Sequence, residues 1–222
     1  MNPLTWLRIG HNLAVMNDRS PAVSLIRDTG RGSEAAILNA ALEAFGQQGF
    51  NGASMRDIAS GARTSLSNLY NYFPSKSHLL AELLMLANDE QLTRTRLAVE
   101  SAGESATQRM QEAVKAFVAF VVDHQTAALV AISEVRYLTG ADRDQVVAAR
   151  DTTQAIFEKI VADGVAAGEF ATPHPDDAAR NIVSMCSAIS TWYHAGGRLS
   201  KVALGEQHAR YALGLLEAKS ID

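Results

Sequence analysis

Apolar residues recur along this chain at three- and four-residue spacing, the period of a helix that turns one face inward. The tightest pattern lies between Ser54 and Phe73. Met55, Ile58 and Ala59 make one short stripe, and Leu66, Leu69, Tyr70 and Phe73 make a second. Ser54 stands where its hydroxyl can cap the first helix, with Asp57 at the third helical position as an acidic capping box. Gly61 to Thr64 separates the stripes and is too short for anything but a turn, and Ser65 can cap the second helix. Two short helices joined by a tight turn are the shape that lays one helix in a DNA major groove.

The same period predicts helices on either side. A first helix starts at Ser33, with Glu34 early in it, and ends near Gly49. Pro74-Ser75-Lys76 closes the second short helix and opens a long one, with Leu79, Leu80, Leu83, Leu84, Leu86 and Ala87, running towards Val99. After a break at 101–105, Gln108 to Val122 carries Met110, Val114, Phe117, Val118 and Val121 on one face. His124 to Leu138 makes a further segment. A helix from Asp142 or Asp144 runs to Gly168, with Phe157, Ile160 and Val161 inward. Thr172 to Pro175 is a loop. Asp176 and Asp177 suit the positive end of a helix that continues through Met185, Ile189, Trp192 and Tyr193 to the stop at Gly196-Gly197. Lys201 to Lys219 is the last helix. The reading is all-α, with an N-terminal arm over 1–32, a helix-turn-helix domain over 33–80 and a helical body over 81–222.

Charge sharpens this division. The chain of 222 residues carries a net charge of -4. Residues 21–80 hold five Lys/Arg against four Asp/Glu, while residues 81–222 hold thirteen against nineteen. A near-neutral head on an acidic body suits a site-specific binder of double-stranded DNA rather than a protein that coats it. Cys186, the single cysteine, excludes a disulfide within one chain and reads as a small buried hydrophobe. The first sixteen residues lack a basic start followed by a pure apolar run, and no stretch reaches 18 uninterrupted apolar residues. The expectation is a cytoplasmic protein with no membrane partner.

The second short helix has an outer face of small and amide side chains: Thr64, Ser65, Ser67, Asn68 and Asn71. Asn can pair bidentately with adenine and Ser with either groove edge or phosphate. Tyr70 and Tyr72 carry hydroxyls that reach phosphate, and Ser54 and Lys76 lie where the DNA backbone passes. Arg27 and Arg31 stand just before the first helix, either as a minor-groove arm or as incidental charge on a tail that also contains Trp6, Leu7, Ile9, Leu13 and Met16. The competing reading of the outer face is a solvated surface on a helical protein-interaction module that does not read DNA.

Residues 33–80 resemble the DNA-binding domain of the tetracycline-repressor family of one-component bacterial regulators. Ile37, Ala40, Phe45, Gly49 and Phe50 match its first helix and ending, and Ser54, Arg56, Asp57, Ile58 and Ala59 its second. Leu69, Tyr70, Tyr72, Phe73, Ser75, Lys76, Leu79 and Leu80 match the recognition helix and the entry to the fourth. Three residues depart: Arg63 replaces the usual turn Gly, Thr64 the usual Val and Tyr72 the commoner His. The resemblance implies a ligand-responsive repressor in which the last two helices of two copies meet as a four-helix bundle, so that two heads read a pseudo-palindromic operator. Ala178, Ser184, Ala188, Leu204, Tyr211 and Leu215 are the dimerisation candidates.

The effector is expected among the body helices, with Phe117, Val121, Phe157, Met185 and Ile189 as apolar contacts. Glu134, Arg136 and Tyr137 form an unusual run, readable as a ligand contact or as one surface charge and one intrachain ion pair. Trp192 and Tyr193 suit either a pocket mouth or a dimer interface. The run Trp192 to Gly197, with Leu199 and Val202, resembles CoA-thioester-sensing repressors of late cholesterol-ring degradation, and Glu134-Val135-Arg136 resembles a related acyl-CoA-responsive pattern. A CoA thioester or another bulky hydrophobic acid is the implied effector, with Arg143, Arg150, Arg180 and Arg198 as candidates for its phosphates. The six histidines at 11, 78, 124, 174, 194 and 208 fall into no metal motif, and there is neither a Gly-rich phosphate loop nor GxSxG. No enzyme activity, cofactor or metal is expected.

Overall fold

A computed structural model describes residues 25–26 and 32–219. Apart from Leu25, Ile26 and Gly32, the expected N-terminal arm, with Arg27 and Arg31, lies outside the described residues. Among these there are nine α-helices: α1 Gly32–Gly52, α2 Met55–Gly61, α3 Leu66–Tyr72, α4 Lys76–Ser101, α5 Ala106–Asp123, α6 Gln125–Ser133, α7 Gly140–Ala166, α8 Pro175–Ser187 and α9 Lys201–Leu215.

Local chemistry sets the boundaries. Gly49 stands at φ 68°, ψ 173° and breaks the helical geometry of α1 in its last turn. Ser54, Ser65 and Ser75 each accept the amide three residues on, from Asp57, Asn68 and His78, at 3.1, 3.1 and 3.0 Å. The capping box takes a variant form, because the Asp57 carboxylate accepts the Ser54 hydroxyl instead of the Ser54 amide. After α2 the chain turns through Arg63 at φ 54°. Thr64 N–H donates to Ala59 O and Arg63 N–H to Ser60 O, both at 3.0 Å. This is a Schellman closure with an arginine where glycine is favoured.

Two hydrophobic clusters meet along α4. Leu79, Leu80, Leu83 and Leu84 complete the head core with Ile37, Phe45, Ile58 and Leu69, whereas Ala87 belongs to the body core. The head core also takes in Val130, Leu138 and Val146 from the body. The sequence boundary at residue 80 therefore falls inside one helix and one shared core. In the body, α5 is central and packs against α4, α7, α8 and α9. Burial around much of its circumference explains its apolar composition. It bends 96° into α6, and no single described helix is long and apolar enough to cross a membrane.

Three expected helices are shorter than their periodicity suggests. The His124–Leu138 segment is α6 followed by a 3-10 turn over Val135–Tyr137. The helix expected to reach Tyr193 ends at Ser187 and passes into a 3-10 turn over Ala188–Thr191. There the Ser190 and Thr191 hydroxyls donate to the Ser187 and Ala188 carbonyls, and the Gln125 amide satisfies Ser190 O and Tyr193 O at 3.1 and 2.7 Å. Such side-chain bonds compete with the regular ladder. The last helix stops at Leu215 instead of Lys219, with Glu217 at φ 49°.

Candidate functional site

The outer side of α3 and its entry turn lies at the surface in part. Ser65, Ser67, Tyr70 and Asn71 are exposed, and Thr64, Asn68 and Tyr72 are half-buried. Asn68 Nδ2 donates to Thr64 Oγ1 at 2.8 Å, which holds the amide against the start of α3. The Ser54 hydroxyl is exposed, but its cap and its bond to Asp57 already engage it. Arg56 and Arg63 are further exposed cations of this unit that the outer-face reading left aside.

Lys76 is engaged within the chain. Its Nζ donates to Phe50 O at 2.6 Å and Ala53 O at 2.8 Å and lies 4.4 Å from the centroid of the Phe50 ring. One carbonyl from the last turn of α1 and one just beyond it thus hold the ammonium. The Phe50 ring also stacks on Tyr137, with centroids 5.3 Å apart, and packs at 5.9 Å from Phe45.

Glu134 and Tyr137 also have a different setting from the one expected. Glu134 is buried, 6% exposed, and its Oε2 accepts Phe50 N–H at 2.7 Å. With Phe50, these two residues form a joint between head and body, and neither lines the cavity among α4, α5, α6, α7 and α8. Arg136 is exposed and lies against the Tyr137 ring at 5.0 Å. Nearby, Asp142 meets His78 Nδ1 at 3.2 Å and accepts the Ser77 hydroxyl at 3.4 Å, tying the start of α4 to α7.

A cavity of about 410 Å³ opens among α4, α5, α6, α7 and α8. Phe117 and Val121 line it as expected, together with Phe120, Ala128 and Val183. Phe157 lies behind the wall, edge-on to Phe117 at 5.9 Å. Met185, Ile189, Trp192 and Tyr193 do not line it. Ile189 is fully buried in the body core, and Trp192 is 48% exposed and stacks on His208 at 6.3 Å. The cavity instead takes Asn88 and Gln91 from α4, Thr153 from α7, and two of the four candidate arginines, Arg150 and Arg180. The α7 wall is made by Val147, Arg150, Asp151, Thr153, Gln154 and Glu158, of which 147, 150, 151, 154 and 158 share one face at helical spacing.

The dimerisation candidates divide. Ala178 and Leu204 are 4% and 0% exposed and belong to the chain's own core, because the α8 and α9 stripes that carry them face α5. Ser184, Ala188, Tyr211 and Leu215 are exposed, and Trp192 and Val202 are further exposed apolar residues. Ser184 also lines the cavity.

Beside the cavity, a polar network joins α4 to the α5–α6 corner and α9. Arg94 pairs with Glu90 at 2.8 Å and Asp123 at 3.0 Å, and Lys201 reaches Asp123 at 2.7 Å. Burial opposes the Asp123 charge, but the bonds from Lys201 and Arg94 outweigh it and hold the carboxyl below its ordinary range. Burial, reinforced by Arg94, lowers the His124 imidazole, whose Nε2 lies 3.1 Å from the guanidinium. Burial pushes the Cys186 thiol up to about 12, in keeping with a small hydrophobe. Among the described residues no group of three or more His, Cys, Asp or Glu side chains could hold a metal ion.

Comparison with known proteins accords with both halves of this architecture. The repressor KstR2 of Mycobacterium tuberculosis H37Rv is 26% identical over 180 residues, covering 80% of this chain and 90% of that protein. A tetR-family regulatory protein from Rhodococcus RHA1 superposes with a TM-score of 0.80 at 23% identity, covering 85% of this chain and 98% of that one. AibR, solved in complex with isovaleryl coenzyme A and operator DNA, superposes with a TM-score of 0.74 at 21% identity, covering 84% and 100%. The model for bacterial regulatory proteins of the tetR family matches residues 37–83, and that for the tetracyclin repressor-like C-terminal domain matches residues 103–216. The second match alone spans just over half of the sequence, and the chain belongs to the tetracycline-repressor family of bacterial regulators.

Proposed function

We propose that this protein is a cytoplasmic repressor that binds a pseudo-palindromic operator as a homodimer and leaves it when a CoA thioester occupies the body cavity. The observation that carries the reading is the position of α4. Its first turns form the head core through Leu79, Leu80, Leu83 and Leu84, and its next turns, at Ala87, Asn88 and Gln91, form a wall of the cavity. A molecule seated there bears on the helix that positions α3. The effector must favour a dimer shape with the wrong spacing between recognition helices, because equal affinity for both shapes shifts nothing.

The exposed apolar residues Tyr211 and Leu215 of α9, with Trp192 beyond α8, support dimerisation through these two helices. Ser65, Ser67, Asn68, Tyr70, Asn71 and Tyr72 are the proposed DNA contacts, with Asn68 on a base edge and Tyr70 on phosphate. Arg150 and Arg180 at the cavity suit the phosphates of coenzyme A, and the ligand of AibR supports that class. Native mass spectrometry of the freshly purified dimer, followed by a gel shift on DNA upstream of its own gene with any retained compound, tests the reading. A retained acyl-CoA that abolishes the shift is expected. Unaltered operator binding at saturating compound would defeat the effector role of that compound.

A further inference from the structure

The cavity is apolar on the α5 side, yet it holds two polar side chains that are more than nine-tenths buried. Asn88 on α4 is 7% exposed and Thr153 on α7 is 5% exposed. The Asn88 Nδ2 and Thr153 Oγ1 atoms are both buried, and neither has a hydrogen-bond partner in the protein. Both residues line the cavity, with these two atoms just beneath its surface, where a turn of either side chain brings the atom to a bound molecule. A buried donor without a partner costs about 1–3 kcal/mol, far more than an aliphatic side chain of similar size at the same place.

We infer that Asn88 and Thr153 select effectors by a neutral carbonyl oxygen held inside the cavity. The inference rests on the cavity being the effector site and adds the chemical group that it reads. Nδ2 of asparagine only donates, so its ligand partner must accept; the threonine hydroxyl donates to the same oxygen or to a second one. A charged carboxylate does not suit this depth, because the cavity cations, Arg150 and Arg180, are exposed. An acidic group belongs outward beside those arginines, and the carbonyl of a ketone, ester or thioester belongs inward. The hydrocarbon part then lies against Phe117, Phe120 and Val121. A site built to donate to a ligand oxygen discriminates strongly against a ligand that lacks it, because its own polar groups are left unpaired.

The test uses two probes of nearly equal size, 2-acetylnaphthalene and 2-ethylnaphthalene, which differ by one carbonyl oxygen. Calorimetric titration of the purified protein gives the ratio of their affinities. The ketone is expected to bind at least about five-fold tighter to the unmodified protein, the scale of one net hydrogen bond. In Asn88→Leu/Thr153→Val the ratio is expected to fall to one or invert, while Thr153→Ser keeps the preference. If the double substitution does not fold, Asn88→Leu alone gives the same comparison. Equal affinity of the two probes for the unmodified protein, or a preference that survives Asn88→Leu/Thr153→Val, overturns the inference and leaves the cavity as an effector site. If neither probe binds at millimolar concentration, the inference falls, while the gel shift with a retained acyl-CoA still decides the effector reading on its own terms.

Discussion

The Glu134 carboxylate accepts the backbone N–H of Phe50 at 2.7 Å, across 84 positions of sequence, and so fastens the end of α1 to the body. Lys76 holds the carbonyl of the same residue, so both backbone groups of Phe50 are fixed by side chains from other elements. Glycine suits position 49 beside it, because its φ of 68° is one that other residues adopt only at a cost.

Replacing Glu134 by Ala should therefore destabilise the protein by about 1–3 kcal/mol, since a buried amide loses its acceptor. Glu134→Gln keeps an acceptor oxygen and should cost less. Urea unfolding of the two variants checks the order, and equal midpoints for Ala and Gln would contradict the role assigned to the carboxylate.

Lys76→Met should lower stability by about 2 kcal/mol, the scale of hydrogen bonds from a charged donor. A lysine that served phosphate alone would leave the unfolding midpoint unchanged and weaken only operator binding. Thermal unfolding in the absence of DNA separates the two.

Arg63 should be improvable. Its φ of 54° is a conformation that costs a non-glycine residue about 1–2 kcal/mol, partly offset by the flexibility that glycine adds to the unfolded chain. Arg63→Gly should raise stability by about 1 kcal/mol, seen as a higher unfolding temperature. A lower temperature would mean that the arginine side chain contributes more than the turn costs.

Acid stability should depend on Glu169. Burial disfavours its charge, but bonds from the Thr107 and Ala106 amides and the Ser105 hydroxyl overcome this and lower its pKa from 4.5 to about 2. The folded value lies below the unfolded one, so the stabilisation is complete above about pH 4.5 and is lost as pH falls towards 2. Glu169→Gln should flatten the dependence of stability on pH across that window. An unchanged slope there would remove Glu169 as its source.

The parts readable from sequence are those set by neighbours in the chain. Ser54, Ser65 and Ser75 each bond an amide three residues on, so the helix-turn-helix is legible from spacing, and Arg63 is recognisable as a non-glycine in a turn position. The cavity depends on five helices meeting, and its polar members are inconspicuous: Asn88 is one amide in an otherwise ordinary helix. Trp192 and Tyr193 draw attention by composition, yet the fold carries them away from the cavity. Glu134 is conspicuous as a charge in an apolar run, but its partner is a backbone amide with no side-chain signature. Lys76 illustrates the same limit, because the groups that hold it are backbone carbonyls at and just beyond the end of α1.

A molecule in the cavity beneath α4 is proposed to control DNA binding. That control is tested most directly by titrating the dimer, bound to fluorescently labelled operator, with an acyl-CoA while calorimetry gives occupancy of the body. Operator release should track occupancy, and Arg150→Ala/Arg180→Ala should move both curves to at least about ten-fold higher ligand concentration, one lost charge-assisted contact or more, with operator affinity unchanged when no ligand is present. Operator that stays bound with undiminished affinity while the cavity is saturated would contradict the account.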